Sequence, residues 1–261
     1  MLVADLFSFV VRVRERAPLV HCLTNLVVTN FTANVLLAIG AAPAMVVARE
    51  EVAGFAPLAN ALSVNLGTLD VPQTRAIRAA VDAASGAGKP WVLDPVAVGP
   101  LPFRTKFALD LLDSKPAVIR GNASEIISLS EGAASGRGVD STAATDAAQI
   151  LALRTQAVVA VTGATDYVTD GRRVIALANG SPLMTRVTGV GCALSATTAS
   201  DRDEFWAATV AAIAYSTIAG EFAARDAALP GSFAVAYLDR LASLDQEAFE
   251  KTLVQRDIVS G

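Results

Sequence analysis

The chain has 261 residues, of which 53% are hydrophobic and 18% are charged, and its formal net charge is −4. This composition excludes an intrinsically disordered chain, which combines low hydrophobicity with high net charge. The length allows one large core without disulfides or metals, and we expect a single domain over residues 1–261 that binds no nucleic acid, since no basic cluster exceeds Arg172-Arg173.

The N-terminal segment predicts neither a signal peptide nor a membrane anchor. It carries charged residues in an amphipathic pattern, and it lacks the basic start and apolar middle of a secretory signal. Apolar stretches such as Ala207–Ala214 are shorter than the roughly 20 residues that span a bilayer. We therefore expect a soluble cytoplasmic protein that does not bind a membrane.

Short apolar runs rich in β-branched residues predict strands, and segments with helical spacing of apolar residues separate most of them. The predicted strands are Ala44–Ala48, Ala61–Leu66, Trp91–Pro95, Ala117–Arg120, Ala157–Thr162 and Arg173–Ala178. The predicted helices are Thr29–Ile39, Pro72–Ala84, Phe103–Ser114, Thr142–Thr155, Glu204–Ala224 and Gly231–Phe249. This alternation predicts an α/β fold whose mostly parallel central sheet is flanked by helices. The pair Asp170-Gly171 predicts an antiparallel hairpin that begins with Tyr167–Thr169 at one sheet edge.

A glycine-rich turn, Gly189-Val190-Gly191-Cys192, leads into a predicted helix near the C-terminal third of the chain. Backbone N–H groups at such a turn and at a helix N-terminus bind anions, so the turn is a candidate phosphate site. Cys192 falls in the first turn, where the helix dipole lowers the pKa of a thiol and favours a proton acceptor. A small packing cysteine is an equally good interpretation of its position.

Polar residues follow the predicted strands, and in an open parallel sheet ligands collect at these carboxyl ends. Arg120 can clamp a phosphate with two hydrogen bonds, and Asp94 and Glu125 are candidate Mg²⁺ ligands. Thr162 brings a hydroxyl to the end of its strand. The alternative interpretation also stands: Asp94 caps a turn before Pro95, and Glu125 pairs with a helix dipole.

The sequence lacks the motifs that define several other classes of enzyme and metal site. There is no Gly-x-x-x-x-Gly-Lys-[Ser/Thr] loop and no Gly-x-Ser-x-Gly elbow, which argues against a P-loop enzyme and a serine hydrolase. The chain contains two cysteines, Cys22 and Cys192, and a single histidine, His21, so no Cys/His zinc site is expected.

Seven segments, in order along nearly the whole chain, resemble the hydroxyethylthiazole kinase family. They are Pro18–Asn25, Phe31–Asn34, Pro43–Val46, Asn65–Thr68, Leu93–Gly99, Ile119–Ile126 and Val161–Gly163. In most members of the wider ribokinase-like superfamily, a Gly-x-Gly-Asp motif ends in an aspartate base. The family resembles them but has cysteine at that position, and so does this chain at Cys192. Val190 departs from the Thr or Ala that is commoner between the two glycines.

The resemblance implies a ribokinase-like three-layer fold and ATP-dependent phosphorylation of 4-methyl-5-(2-hydroxyethyl)thiazole in thiamine biosynthesis or salvage. It also implies Mg²⁺ with ATP, and a homotrimer with active sites at subunit interfaces. By residue, the resemblance implies that Met45 and Gly189 belong to the thiazole site and that Asn25 and Gly67 are further pocket positions. It implies that Arg120 and Thr162 bind ATP and that Asp94 and Glu125 bind the metal. Cys192 is the implied proton acceptor.

Two other functions remain open from the sequence. One is a kinase of the same superfamily acting on hydroxymethylpyrimidine or a pyridoxal-like alcohol, which is expected to carry aspartate at the position of Cys192. The other is a nucleotide-binding sensor that keeps the fold without turnover. ADP release with each alcohol distinguishes these functions.

Overall fold

The computed structural model describes residues 3–132, 141–187 and 205–258. The helices are α1 (Val3–Arg16), α2 (Thr29–Ile39), α3 (Arg49–Phe55), α4 (Val71–Gly86), α5 (Pro102–Leu112), α6 (Ala123–Glu131), α7 (Ser141–Thr155), α8 (Phe205–Asp226), α9 (Pro230–Ser243) and α10 (Gln246–Thr252). The strands are β1 (Leu19–Leu23), β2 (Ala42–Ala44), β3 (Ala61–Asn65), β4 (Trp91–Asp94), β5 (Val118–Asn122), β6 (Val158–Thr162), β7 (Asp166–Thr169), β8 (Val174–Leu177) and β9 (Gln255–Ile258). Two short 3₁₀ helices span Ala56–Leu58 and Pro182–Arg186.

All nine strands form one sheet in the order β2-β1-β3-β4-β5-β6-β7-β8-β9. Strands β1 to β6 pair in parallel, and the last three join antiparallel. The predicted α/β fold with a mostly parallel sheet and an antiparallel hairpin is therefore confirmed. The hairpin of β7 and β8 is extended by β9, which becomes the edge strand.

Two apolar cores lie on opposite faces of the sheet, because successive side chains of a strand point to opposite faces. In β5, Val118 belongs to one core and Ile119 to the other; in β6, Val158 and Val159 divide in the same way. Helices α1, α2, α8 and α9 cover the first face, and α4, α5, α6 and α7 cover the second. Both faces of the parallel strands are thus buried, which explains their continuous hydrophobicity.

Helix α8 is the most apolar long helix of the described ranges. Its length and composition would allow it to cross a membrane, but 78% of its most apolar stretch is buried inside the fold. Thirteen of its residues are buried, among them Ile213 and Ile218. The helix is therefore a core helix of the fold.

The structure corrects several predicted elements. The predicted strand Ala44–Ala48 is wrong in position, since β2 covers Ala42–Ala44 and the residues after it are irregular. The predicted helix Gly231–Phe249 is two helices, because Asp245 adopts an extended conformation and its side chain accepts a hydrogen bond from the backbone N–H of Ala248 as the N-cap of α10. Strands β1 and β9 were not predicted.

The turn between β7 and β8 requires glycine at position 171. Gly171 has a φ of +91°, and a Cβ there would lie 2.7 Å from Cγ of Leu153 in α7. The Asp170 side chain accepts hydrogen bonds from the backbone N–H groups of Arg172 and Arg173, which completes the turn. The Asp-Gly pair therefore fixes both the hairpin and its contact with α7.

We expect Gly171→Ala to lower the free energy of unfolding by about 2 kcal/mol, because the new methyl group strains the backbone and collides with Leu153. Gly54→Ala is the matched control. Gly54 is an exposed residue of α3, and a Cβ there meets nothing within 4 Å. The change should raise the free energy of unfolding by about 0.5–1 kcal/mol. Urea unfolding of both variants measures the difference. Equal stability of the two variants would contradict the assigned turn geometry.

Candidate active site

A chain of polar side chains runs across the carboxyl ends of the parallel strands. Nδ2 of Asn25, just after β1, donates to Oδ1 of Asn65 at the end of β3, over 2.9 Å. Nδ2 of Asn65 donates in turn to Oδ2 of Asp94 at the end of β4, over 2.8 Å. All three side chains are buried. Buried amides and carboxylates of this kind are stable only when their polar atoms are paired, so each fixes its neighbour.

The polar chain continues through the next two strands. Nη1 of Arg120 in β5 lies 3.8 Å from Oδ2 of Asp94, and Nη2 of Arg120 donates to Oγ1 of Thr162 in β6 over 2.7 Å. Nε of Arg120 is buried and has no hydrogen-bond partner in the described part of the chain. The guanidinium of Arg120 is thus oriented between the carboxylate of Asp94 and the hydroxyl of Thr162.

Glu125 is held at the first turn of α6. Its two carboxylate oxygens accept hydrogen bonds from the backbone N–H groups of Ala97 and Asn122, over 2.9 and 2.8 Å. The Asn122 side chain accepts from the N–H of Glu125, which completes a capping box. Burial raises the pKa of Glu125, the two backbone N–H groups oppose that shift, and the charge of Asp94 adds to it. Asp94 and Glu125 are thus electrostatic neighbours.

Gly67 lies against Asn25 so closely that no other residue fits. A Cβ at Gly67 would stand 2.5 Å from Cβ of Asn25, and the N–H of Gly67 donates to Oδ1 of Asn65 over 2.9 Å. The structure therefore places the two predicted pocket residues Asn25 and Gly67 in contact. Met45 lies apart from this contact, in the segment between β2 and α3.

Two cavities open at this edge of the sheet. One, of about 270 Å³, has Met45, Val47, Leu26, Cys22 and Thr24 among its lining residues. The lining is largely apolar, as expected for a small aromatic molecule.

The other cavity, of about 610 Å³, is lined by Arg120, Thr162, Asp166 and Asn179, among others. Polar side chains stand among apolar ones in its lining, and its size suits a nucleotide. The polar chain from Asn25 to Thr162 spans the strand ends between the two cavities.

The sequence did not point to Arg104 and Thr105 at the start of α5. Arg104 donates to the backbone carbonyls of Val96 and Gly67, over 2.9 and 3.1 Å, and so ties together the loops after β4 and β3. Oγ1 of Thr105 accepts from the N–H of Gly99 over 2.8 Å. The proximity of these residues to the glycine-containing loop 94–99 was the available signal, but backbone carbonyl partners leave no mark in a sequence.

Asp166 received no predicted role, although it lies only four residues after Thr162. Its Oδ1 accepts a hydrogen bond from the N–H of Gly163 over 2.9 Å, at the wall of the larger cavity. Burial raises the pKa of Asp166 to about 6, against the opposing effects of the Gly163 N–H and the charge of Arg120. Asp166 therefore closes the loop that carries Gly163 beside Arg120.

The predicted anion turn, Gly189, Val190, Gly191 and Cys192, lies outside the described residues. The other cysteine of the chain, Cys22, is a buried thiol whose pKa burial raises to about 12, which disfavours its thiolate form. The roles of the site residues stay predictions.

Two solved structures have folds similar to that of this chain. Pyridoxal kinase from Staphylococcus aureus in complex with ADP matches 78% of this chain and 87% of its own with a TM-score of 0.60 at 15% identity, which shows the fold alone. Hydroxyethylthiazole kinase protein from Pyrococcus horikoshii matches 97% of this chain and 99% of its own, with a TM-score of 0.89 and 38% identity. Fold and site together define a small-molecule kinase of the ribokinase-like superfamily, a phosphotransferase with an alcohol acceptor.

Sequence comparison gives the particular family. The model of the hydroxyethylthiazole kinase family matches residues 10–247. A hydroxyethylthiazole kinase of Tolumonas auensis is 53% identical over 93% of this chain and 94% of its own length; one of Granulibacter bethesdensis is 56% identical over 89% and 87%. The chain belongs to the hydroxyethylthiazole kinase family, whose reaction serves thiamine biosynthesis, and the predicted function is confirmed.

We expect Asp166→Asn to stabilise the protein at alkaline pH. The folded pKa of about 6 lies above the ordinary 3.8, so the stability associated with this carboxyl is present below 3.8 and lost as the pH rises through 6. Asparagine keeps the oxygen that accepts from Gly163 and removes the buried charge. The variant should exceed the parent by about 1–3 kcal/mol near pH 8, and the difference should shrink toward pH 4. Urea unfolding at both pH values measures it; a pH-independent difference would contradict the assigned burial of charge.

Proposed function

We propose that the described crevice carries out the family reaction: transfer of the γ-phosphoryl group of ATP to the hydroxyl of 4-methyl-5-(2-hydroxyethyl)thiazole. One observation carries the assignment of this crevice as the active site. A polar chain runs from Asn25, whose neighbours Thr24 and Leu26 line the smaller cavity, to Arg120 and Thr162, which line the larger one. An alcohol and a nucleotide bound in the two cavities would meet over this chain.

The larger cavity is the proposed ATP site. Arg120 is held by Thr162 on one side and by the charge of Asp94 on the other, and its side chain lines this cavity. A guanidinium that is already oriented loses little side-chain freedom on binding, which favours affinity. We propose that Arg120 binds the phosphates of ATP and that Thr162 holds both Arg120 and the nucleotide in place.

The carboxylates of Asp94 and Glu125 fit a Mg²⁺ ion that accompanies ATP. They repel each other in a buried setting, and a divalent cation would relieve this repulsion. Both Glu125 oxygens already accept backbone N–H groups, and no group of three acidic, histidine or cysteine side chains suited to a metal occurs among the described residues. Waters and phosphate oxygens would complete the coordination, as is usual for Mg²⁺. When bound, the ion supplies charge neutralisation at the transferred phosphoryl group.

The residues of the chain supply positioning and charge in the proposed reaction. The thiazole ring lies beside Met45, and Asn25 and Gly67 border the path to the phosphates. The hydroxyethyl oxygen attacks the γ-phosphorus; the new O–P bond forms as the bond to the β-phosphate oxygen breaks, and ADP leaves. The N–H groups of the Gly189–Cys192 turn stabilise the developing charge, and Cys192 accepts the alcohol proton.

We also propose that one domain over the whole chain forms a cytoplasmic homotrimer in which the neighbouring subunit completes the alcohol site. Leu26 and Val47 line the smaller cavity, yet 76% and 60% of their respective surfaces are exposed. Their neighbour Val27 is exposed as well. Apolar side chains clustered at the mouth of a substrate cavity support a subunit contact there.

Purified protein incubated with Mg-ATP should release ADP with hydroxyethylthiazole and much more slowly with hydroxymethylpyrimidine or pyridoxal. Coupled-enzyme detection of ADP measures the three rates in parallel.

In the same assay Arg120→Met, which keeps the length of the stem and loses the guanidinium, should raise the KM for ATP about 10–100-fold. Absence of ADP with every alcohol would refute the proposed activity, and an unchanged KM in Arg120→Met would refute the role of Arg120.

Cys192→Asp should retain the parent turnover or exceed it, because a carboxylate is ionised at neutral pH and can accept a proton, whereas an ordinary thiol is mostly protonated. Cys192→Ala should lower kcat and leave the KM for ATP unchanged. Steady-state kinetics of the two folded variants test the role directly. Complete loss of activity in folded Cys192→Asp would exclude proton acceptance at this position.

A further inference from the structure

The single histidine of the chain takes no part in the proposed phosphoryl transfer, yet it is fully buried. His21 lies in β1, which is paired with β2 on one side and β3 on the other. Its ring meets the edge of Phe55, at the end of α3, with 5.1 Å between centroids and 78° between planes. Burying an imidazole has a cost unless its polar atoms are paired, so the partner of this ring indicates its role.

That partner is the backbone of Val46. Nε2 of His21 lies 2.7 Å from the carbonyl oxygen of Val46, and because a carbonyl only accepts, Nε2 carries the proton. Nδ1 is buried without a hydrogen-bond partner in the described part of the chain. Burial also lowers the pKa of His21, which keeps the ring neutral. The hydrogen-bonding capacity that the ring uses is therefore directed at one backbone group.

Val46 lies in a segment that sheet and helix hydrogen bonding do not hold. Strand β2 ends at Ala44 and α3 begins only at Arg49, so the residues between them are irregular. Met45 and Val47, on either side of Val46, both line the cavity of about 270 Å³. A hydrogen bond from an interior strand to the carbonyl between these two side chains fixes that wall of the cavity.

We propose that His21 is a positioning residue for the alcohol substrate: its Nε2–H bond to Val46 sets the Met45–Val47 wall against which the thiazole ring packs. The inference rests on the proposed function in one respect, that this cavity takes the ring. Its effect is confined to the alcohol. Strands β3 and β4 lie between β1 and β5, so at about 4.8 Å per strand Arg120 is in a strand roughly 14 Å away.

The substitutions His21→Gln and His21→Asn form a matched pair, because both are polar and uncharged but differ in reach. The amide nitrogen of glutamine can stand near the position of Nε2 and donate to Val46, whereas that of asparagine lies closer to the backbone. We expect His21→Asn to raise the KM for hydroxyethylthiazole about tenfold, and His21→Gln to stay within about threefold of the parent. The KM for ATP should change less than about twofold in both.

Phe55→Leu serves as the control for packing, since it removes the ring contact and leaves the hydrogen bond. It should lower Tm without changing the KM for the alcohol. If His21→Asn does not fold, His21→Gln, which keeps a donor to Val46, still tests the inference. The inference is overturned if His21→Asn binds the alcohol as the parent does, if the KM values for ATP and alcohol rise together, or if Phe55→Leu reproduces the alcohol effect. Turnover of the parent is measured first, so a failure of the proposed function shows in the parent and a failure of this inference only in the variants.

Discussion

The amide of Asn65 is the contact on which the candidate site depends. Its oxygen accepts from the side chain of Asn25 and from the N–H of Gly67, while its nitrogen donates to Asp94. A primary amide is the side-chain group that accepts at one end and donates at the other in one rigid plane. Aspartate at this position would repel Asp94, and leucine would leave three buried polar groups without this partner. The amide of Asn65 therefore links the loops that carry Asn25 and Gly67 directly to Asp94.

The buried charge of Asp94 explains which polar and charged groups surround it. A buried carboxylate requires donors and a cation nearby, and Asn65 and Arg120 supply them. Arg120 in turn lowers the cost of burying Glu125 and Asp166, whose pKa values burial raises. The folded protein thus holds buried carboxylates and a guanidinium in fixed positions, at a cost in folding free energy. Preorganised charge of this kind is suited to phosphoryl transfer, which asks for positioning and charge stabilisation more than for covalent chemistry.

Two further side chains hold the loops around this charged centre. Arg104 ties the loop of Gly67 to the loop of Val96, and His21 ties β1 to Val46. In each case a side chain donates to a backbone carbonyl of an irregular segment. Loops that carry function lack the ladder of hydrogen bonds that holds strands, so such donors take its place. The glycine at position 67 belongs to the same arrangement, because it alone lets the loop approach Asn25.

The sequence by itself determined the alternation of strands and helices, the hairpin at Asp170-Gly171, and the placement of Asp94 and Thr162 at strand ends. Arg120, predicted as the last residue of its strand, lies in the middle of β5. These features depend on local periodicity and turn chemistry, which short segments encode. Ordered motifs also identified the family before any contact was known.

Only the tertiary structure decided which of these residues meet. The strand β1 escaped prediction because its pattern contains His21, and β9 because Arg256 and Asp257 lie within it; pairing with the sheet overrides such polar residues. The same holds for Asn65, Arg104 and His21, whose partners are 40, 37 and 25 residues away along the chain. Contacts over such separations are set by strand order in the sheet, and local sequence carries no record of them.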